Sequence, residues 1–107
     1  MTQKRQGEFE LAVLRAIANL GGNGYGVTIA DKTGEFVGRD VSLGAVYATA
    51  DRLQRKGFIS SELGEATPER GGKPKRYYKI EAPGQRALDE GRAAAQRLWG
   101  APVGALA

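Results

Sequence analysis

Residues 42–63 read SLGAVYATADRLQRKGFISSEL, and this stretch joins a helical pattern to a strand pattern. The apolar residues of its first part recur at spacings of three, four and three: Leu43, Val46, Ala50 and Leu53. Such spacing predicts one buried face of an α-helix that ends near Lys56. Gly57 is a suitable stop, because glycine accepts the left-handed backbone that follows many helices. A strand-like run over residues 58–63 comes next, so a helix is predicted to lead directly into a β-strand.

A basic, glycine-rich segment separates this strand from a second one. Residues 70–80 read RGGKPKRYYKI, with five cations and no acid. Tyr77–Ile80 alternates in the manner of a strand, with Tyr78 and Ile80 on one face. The segment between the strands, residues 64–74, is too long for a tight turn. A helix followed by a basic β-hairpin is the element order of a winged helix-turn-helix, whose recognition helix enters the major groove of DNA.

Two helices are predicted before this motif. Residues 7–20 carry apolar side chains at helical spacing and end at a glycine-rich segment that suits a helix stop. Residues 25–32 form a shorter pattern of the same kind, with a stop at Gly34. We expect the residues that follow to form a loop that Phe36 and Val37 anchor to the core.

A last helix is predicted over residues 83–99, since proline suits the first turn of a helix. Its apolar and small residues recur at spacings of three, four and three: Leu88, Gly91, Ala95 and Leu98. That spacing is typical of the seam between two packed helices. The predicted fold is thus mostly α with a small β-hairpin: a winged helix-turn-helix domain over residues 1–82, a C-terminal dimerisation helix over 83–100 and a flexible tail over 101–107.

Composition excludes several functional classes. The chain has 107 residues, a formal net charge of +4 and no Cys or His, so disulfides and the usual zinc ligands are absent. His is also the most frequent general base at neutral pH, and the glycine-rich segments lack the context of dinucleotide or phosphate-binding loops. We therefore expect no enzyme, no cofactor and no metal site. No apolar run approaches the ~20 residues of a membrane span, and the N-terminus lacks the apolar core of a signal peptide, so we expect a cytoplasmic protein.

The outer face of the predicted 42–56 helix begins with small residues: Gly44, Ala45, Ala48 and Thr49. An ordinary solvated face would instead carry Glu and Lys, whereas small residues let a helix lie deep in a major groove ~12 Å wide. Ser42 is a suitable N-cap, because its hydroxyl can accept a hydrogen bond from a backbone N–H of the first turn. The pattern favours insertion into a DNA groove over a solvated helix.

The basic tip of the hairpin has two interpretations. Runs of charge are usually flexible, soluble loops. Gly71 and Gly72, however, remove side-chain bulk where the backbone can approach a phosphate, and the flanking cations can displace counterions condensed on DNA. We favour contact with phosphates.

The ordered set of motifs resembles the PadR-like family of bacterial transcriptional regulators over most of the chain. Four pieces carry the resemblance: Gly24-Tyr25-Gly26; Ser42-Leu43-Gly44-Ala45-Val46-Tyr47; Arg52-Leu53 with Lys56-Gly57-Phe58-Ile59; and Lys75-Arg76-Tyr77-Tyr78-Lys79-Ile80 with Gly84 and Leu88. The single short C-terminal helix is similar to that of the smaller members. The resemblance implies a dimeric winged helix-turn-helix, usually a repressor at a near-palindromic operator, in which the last helix dimerises with a contribution from the first.

The candidate site residues follow from these patterns and from the resemblance. The expected DNA-binding residues lie on the 42–56 helix and the hairpin: Ser42, Gly44, Ala45, Tyr47, Thr49, Arg52, Arg70, Lys73, Lys75 and Arg76. The expected dimerisation residues lie on the first and last helices: Phe9, Leu88, Gly91, Ala95, Leu98 and Trp99. We expect Thr49 to face the bases and Arg52 to reach a phosphate. The chain is thus predicted to form a homodimeric repressor that binds double-stranded DNA.

Two alternatives stay open. One is a winged-helix protein-interaction module without DNA binding, which salt-insensitive association with a protein would reveal. The other is compatible with DNA binding and adds a small aromatic effector in a cavity between the last helices, near Leu98 and Trp99. Otherwise we expect Trp99 to pack on the first helix of its own chain or of a partner, since a tryptophan buries a large area.

Overall fold

The computed structural model describes residues 7–64 and 74–100. In these residues the chain forms three helices, a hairpin and a longer helix: α1 (Glu8–Asn19), α2 (Gly26–Val37), α3 (Leu43–Arg55), β1 (Ile59–Leu63), β2 (Arg76–Ile80) and α4 (Ala82–Trp99). The expected fold class, mostly α with a small hairpin, is confirmed. The predicted tail over residues 101–107 and most of the hairpin tip lie outside the described residues.

Helix α1 lies at the centre of the core. Val13, Leu14, Ala16 and Ile17 are fully buried, and α1 contacts α2, α3, α4 and β2. Buried residues of the other elements complete one cluster around it: Ile29, Ala30, Val46, Ala50, Leu53, Ile59, Tyr78 and Leu88. The apolar stripe of this helix therefore packs against several partners at once, as its width indicates.

Helix α2 is longer than its sequence pattern indicates. The predicted stop at Gly34 and the predicted loop after it are wrong, since the helix continues through Phe36 to Val37. Gly38 provides the stop, with a left-handed φ of 74° and an N–H that donates to the Gly34 carbonyl at 2.8 Å. Gly34 serves close packing instead, because a Cβ there would lie 2.9 Å from the Arg39 carbonyl oxygen.

The hairpin is joined to the helical core through Tyr78. Strands β1 and β2 pair antiparallel, with Ile59 opposite Ile80. Tyr78 packs into the core and is 6% exposed, and its N–H donates to the Gly24 carbonyl at 2.9 Å. A two-stranded hairpin is marginally stable alone, so this bridge to the α1–α2 connection gives β2 a second neighbour.

Helix α4 begins one residue before the predicted proline. Its N-cap residue, Glu81, has an extended backbone and no side-chain cap; its carboxylate instead accepts a hydrogen bond from the Ser60 hydroxyl at 2.5 Å. Gly84 is buried, and a Cβ there would collide with the Phe58 carbonyl oxygen. The start of α4 is therefore held against the base of the hairpin.

Within residues 7–64 and 74–100, no helix has the length and apolar content needed to cross a membrane. The same ranges bring no group of three or more His, Cys, Asp or Glu side chains together in the way a metal ion would require.

Thr33 offers a test of the core. Its side chain is fully buried, and its hydroxyl has no hydrogen-bond partner among the described residues. We expect Thr33→Val to raise the free energy of unfolding by about 1 kcal/mol, because valine has nearly the same shape and removes a buried polar group. Urea unfolding followed by circular dichroism measures the change.

Thr28→Val is the matched control for this substitution. The Thr28 hydroxyl accepts a hydrogen bond from the Tyr25 N–H at 3.1 Å, so its loss should lower stability. A loss of stability in Thr33→Val as well would contradict the prediction.

Candidate nucleic-acid interface

Helix α3 begins as predicted. The Ser42 hydroxyl oxygen accepts a hydrogen bond from the Ala45 N–H at 3.1 Å, which satisfies one of the free donors of the first turn. Ser42 and Gly44 are exposed, and Ala45 is half-buried. These residues of the first turn therefore present small groups to solvent.

The exposed face of α3 is wider at its start than the pattern indicates. Leu43, predicted to be buried, is 42% exposed, because it is the first helical residue and both its neighbours are exposed. Tyr47 is 48% exposed, and Ala48 is exposed as well. Tyr47 is thus the aromatic residue of an accessible surface that is otherwise mostly small at this end of the helix.

Thr49 does not belong to this surface, so its predicted place on the outer face is wrong. Its side chain is 1% exposed, and its hydroxyl oxygen accepts a hydrogen bond from Arg52 Nη2 at 3.1 Å. Thr49 is the i+3 neighbour of Val46 and the i−4 neighbour of Leu53, and residues at these spacings lie side by side on a helix. Thr49 therefore continues the buried face and has no free surface with which to read a base.

Arg52 is engaged within the chain. Its Nε donates to one carboxylate oxygen of Glu10 at 3.2 Å, and Lys56 Nζ donates to the other at 3.1 Å. The two contacts with Glu10 join α3 to α1, and the bond to Thr49 orients the Arg52 guanidinium within α3. The Arg52 side chain is 51% exposed and keeps further N–H donors, so its predicted contact with a phosphate stays a prediction.

The two cations keep the Glu10 carboxylate charged. Burial by itself would raise its pKa, but the hydrogen bonds from Lys56 and Arg52 outweigh that effect and hold the pKa of Glu10 below its usual value of 4.5. A carboxylate whose pKa is lowered by folding stabilises the folded state while it is ionised. Glu10 thus links the stability of the α1–α3 contact to pH.

Residues 59–64 and 74–80 form the hairpin and its approach, and are called the wing below. Ser61 connects the wing to α3. The Ser61 hydroxyl donates to Gln54 Oε1 at 3.0 Å and accepts a hydrogen bond from Arg76 Nη1 at 3.0 Å. The exposed Arg76 guanidinium is therefore oriented by a residue that also contacts α3. The other two predicted tip cations, Arg70 and Lys73, lie outside the described residues.

The start of α2, the exposed face of α3 and the wing meet at a cleft of about 560 Å³. Its lining is rich in tyrosine and includes two cations: Tyr25, Gly26, Val27, Tyr47, Leu63, Pro74, Lys75, Arg76 and Tyr78. A Cβ at Gly26 would collide with the Tyr47 hydroxyl, so glycine lets the tyrosine ring lie against α2. Tyr47, Lys75 and Arg76 come from separate sequence patterns, and the fold places them around one cleft.

Sequence reasoning missed Tyr25 as part of this surface. The Lys75 ammonium lies 3.6 Å from the centroid of the Tyr25 ring, and the Tyr77 ring meets it edge-on with centroids 5.9 Å apart. The Gly24-Tyr25-Gly26 motif is visible in the sequence. Only the fold brings it to the wing, whose second strand follows about fifty positions later in the chain.

A second concave surface, the groove, lies between α1, the end of α2 and α4 and has a volume of about 590 Å³. It is lined by apolar residues and four charged ones: Glu8, Phe9, Leu11, Ala12, Arg15, Phe36, Val37, Arg39, Leu88, Gly91, Arg92 and Ala95. Gly91 allows α4 to approach α1, because a Cβ there would lie 3.0 Å from Leu11 Cδ1.

The predicted helix seam is divided between core and surface. Leu88 is 8% exposed, so it packs in the core of its own chain and has little surface for the dimer contact predicted for it. Gly91 and Ala95 are half-buried and border the groove. Leu98 and Trp99 are 76% and 70% exposed, which excludes packing of Trp99 on the first helix of its own chain.

Comparison with known proteins identifies the family. The family model described as the transcriptional regulator PadR-like family matches residues 13–90. The chain belongs to the PadR-like family. Its members are DNA-binding transcriptional regulators and not enzymes, which confirms the resemblance. Comparison with curated proteins gave no match.

Solved structures of PadR-like proteins share the fold of this regulator. A PadR-like transcription factor from Bacteroides fragilis is 26% identical, with a TM-score of 0.69 over 83% of this chain and 81% of that one. A PadR family regulator from Eggerthella lenta is 25% identical, with a TM-score of 0.66 over 82% and 74%. A PadR-like regulator from Bacillus cereus is 23% identical, with a TM-score of 0.69 over 85% and 84%, and this last likeness concerns the fold alone.

Glu10→Gln tests the ion-pair cluster between α1 and α3. We expect it to lower the free energy of unfolding by roughly 1 kcal/mol at neutral pH, because the two cations lose their shared carboxylate. This loss of stability relative to wild type should be fully present above pH 4.5, the usual pKa of a Glu side chain. It should disappear as pH falls through the lowered pKa of Glu10, since the wild-type side chain is then protonated and uncharged, like glutamine. Urea unfolding at neutral and at acidic pH measures both.

Glu35→Gln serves as the control for Glu10→Gln. It removes an exposed carboxylate that pairs with Lys32 at 3.6 Å, and it should change stability by less than about 0.5 kcal/mol. If the loss in Glu10→Gln persisted at acidic pH, the ionic explanation would be wrong.

Proposed function

We propose that this PadR-like regulator is a homodimeric repressor that binds a near-palindromic operator in double-stranded DNA. The observation that carries the proposal is the shared cleft, where Tyr47 of α3 lies near Lys75 and Arg76 of the wing. A helix face of mostly small residues and a cationic hairpin thus border the same region of surface. In the proposed complex α3 enters the major groove, and the wing holds the flanking backbone.

The accessible start of α3 suits a major groove. Ser42, Gly44 and Ala45 are small, and Tyr47 is exposed, so the helix can approach the base edges closely. Ala45 offers only an apolar contact, such as one to a thymine methyl group. With Thr49 buried, few side chains remain for direct readout, and we infer that DNA shape supplies part of the sequence preference.

The wing supplies affinity that does not depend on sequence. Arg76 is exposed and Lys75 is half-buried, while Arg70 and Lys73 belong to the same basic segment. Cations that neutralise phosphates release condensed counterions, which makes binding depend strongly on salt. Arg52 keeps N–H donors beyond those bonded to Glu10 and Thr49, so its predicted phosphate contact stays part of the proposal.

The C-terminal helix supports a homodimer. Leu98 and Trp99 leave apolar area exposed on a single chain, and the groove bordered by Phe9, Gly91 and Ala95 offers an apolar surface on a second copy. Residues 1–82 then act as the DNA-binding domain and residues 83–100 as the dimerisation helix. The two-fold symmetry of such a dimer matches two half-sites about one helical turn apart. We propose the cytoplasm as its place of action.

The same end of α4 supports a small aromatic effector as a further part of the proposal. A planar compound that stacks on Trp99 and contacts Leu98 would alter the packing of the two C-terminal helices and release the operator. Trp99 is the only tryptophan of the chain, so its fluorescence would report such binding.

Selection of bound duplexes from a random DNA library tests the proposed function. At about physiological salt, purely electrostatic binding is weak, so sequence-specific binding is needed to enrich a motif. We expect an inverted repeat with half-sites about one helical turn apart. A folded, dimeric protein that enriches no sequence, and that instead associates with another protein independently of salt, would favour the protein-interaction module.

Replacement of Arg76 of the wing and of Lys73 in the adjoining basic segment tests the second half of the interface. We expect Lys73→Ala combined with Arg76→Ala to weaken binding to specific and random duplexes alike. The logarithmic salt dependence should become shallower by roughly one unit for each lost phosphate contact. Fluorescence anisotropy at several salt concentrations measures the slope.

A charge-matched control accompanies this double variant. Lys32→Ala combined with Arg86→Ala removes the same charge from α2 and α4 and should leave the slope close to that of wild type. An unchanged slope in the wing variant would remove the wing from the interface.

A further inference from the structure

The ring of Tyr25 projects from a backbone that is tied on both sides. The Tyr25 N–H donates to the Thr28 hydroxyl oxygen at 3.1 Å, and that hydroxyl donates to the Tyr25 carbonyl at 3.1 Å. The same carbonyl accepts a hydrogen bond from the Ile29 N–H at 2.8 Å, which is the first bond of α2. The backbone that carries the Tyr25 ring is therefore fixed at the start of α2.

The ring contacts two side chains on one side of the wing. The Lys75 ammonium lies 3.6 Å from the ring centroid, well within the ~6 Å range of a cation–π contact. The Tyr77 ring meets it edge-on, with the planes at 76°, which is a favoured aromatic geometry. Lys75 and Tyr77 are two positions apart and therefore project to the same side of the extended chain.

Backbone contacts complete this attachment of the wing. The Tyr78 N–H donates to the Gly24 carbonyl at 2.9 Å, and the Gly64 N–H donates to the Lys75 carbonyl at 2.7 Å. A Cβ at Gly64 would come within 2.5 Å of the Tyr77 ring, so glycine lets the two strands close over that ring. Lys75 is thus held through its carbonyl by Gly64, the residue after β1, and through its ammonium by Tyr25.

These contacts attach the wing to the core at two positions along its length. A two-stranded hairpin is marginally stable alone, and Tyr78 attaches the wing to the core at its middle. Lys75 immediately precedes β2 and lies beside residue 74, the first described residue after the gap at 65–73. The ring of Tyr25 therefore holds the wing at the end that continues into the basic tip.

We propose that Tyr25 is a positioning residue for DNA binding, which holds the wing in the orientation at which Lys75 and Arg76 meet phosphates. This inference rests on the proposed function, and Tyr25 acts through the wing without touching DNA itself. An ammonium carries three N–H donors, so Lys75 can lie over the ring and still donate to a phosphate. A wing that is oriented before binding loses less conformational freedom when DNA arrives, which raises affinity without an added contact.

Two substitutions at Tyr25 isolate the effect of the ring. Tyr25→Phe keeps the aromatic face, and its affinity for the selected operator duplex should stay within about twofold of wild type. Tyr25→Leu removes that face and should weaken binding about fivefold. Wild-type affinity in Tyr25→Leu would overturn the proposal, and so would an equal loss in Tyr25→Phe.

A double-mutant cycle shows whether Tyr25 acts through Lys75. Lys75→Met weakens binding by removing a cation, and Lys32→Met is its charge-matched control on α2. In the Lys75→Met background, Tyr25→Leu should add less than about twofold, because the cation that the ring holds is already absent. If the two losses multiply, Tyr25 does not act through Lys75 and the proposal fails.

Amide hydrogen exchange separates this inference from the proposed function, since it needs no DNA. The Tyr78 N–H should exchange about fivefold faster in Tyr25→Leu than in wild type or Tyr25→Phe. The Leu14 N–H of α1 should exchange at an unchanged rate, which shows that the core is intact. If the wild-type protein binds DNA while neither affinity nor exchange responds to Tyr25→Leu, this inference alone fails. If Tyr25→Leu speeds exchange but neither wild type nor any variant binds DNA, the proposed function fails. The DNA-binding role of Tyr25 then fails as well.

Discussion

The burial of α1 is the constraint on which the other elements depend. Its Leu14 and Ile17 are fully buried, and each contributes roughly 2 kcal/mol through the apolar area removed from water. The helix contacts α2, α3, α4 and β2. Helices of 12 or 13 residues and a two-stranded hairpin are marginal by themselves in water. The elements that form the tyrosine-rich cleft therefore keep their places because they share the apolar surface of α1.

One helix contributes in this way to both surfaces of the molecule. Phe9 and Leu11 of α1 border the groove, whereas Glu10 between them binds Arg52 and Lys56 of α3. The groove and α3 thus contact different sides of the same turn of α1. This arrangement provides a contiguous set of contacts between a surface suited to a second chain and the helix suited to DNA.

Two glycines show what a local sequence pattern can predict about helix ends and what it cannot. Gly57 has a left-handed φ of 79° and follows α3 as its place in the sequence predicts. Gly34 looks the same in the sequence but lies inside α2, at a place where the Arg39 carbonyl leaves no room for a side chain. A glycine is used either for its backbone freedom or for its small size, and the choice depends on which atoms pack against it.

Capping, periodicity and charge are local properties, so the residues alone were enough to predict the order of the elements, the N-cap at Ser42, the hairpin and its basic wing. The accessible face of α3 needed the folded chain. Thr49 lies at the edge of the helix face and is buried, and Arg52 binds Glu10, which lies 42 positions earlier. Tyr25 likewise contacts Lys75 of the wing, which lies 50 positions later in the chain. An edge residue joins the core or the surface according to the element that packs beside it, and that element comes from a distant part of the chain, where spacing and composition carry no information about it.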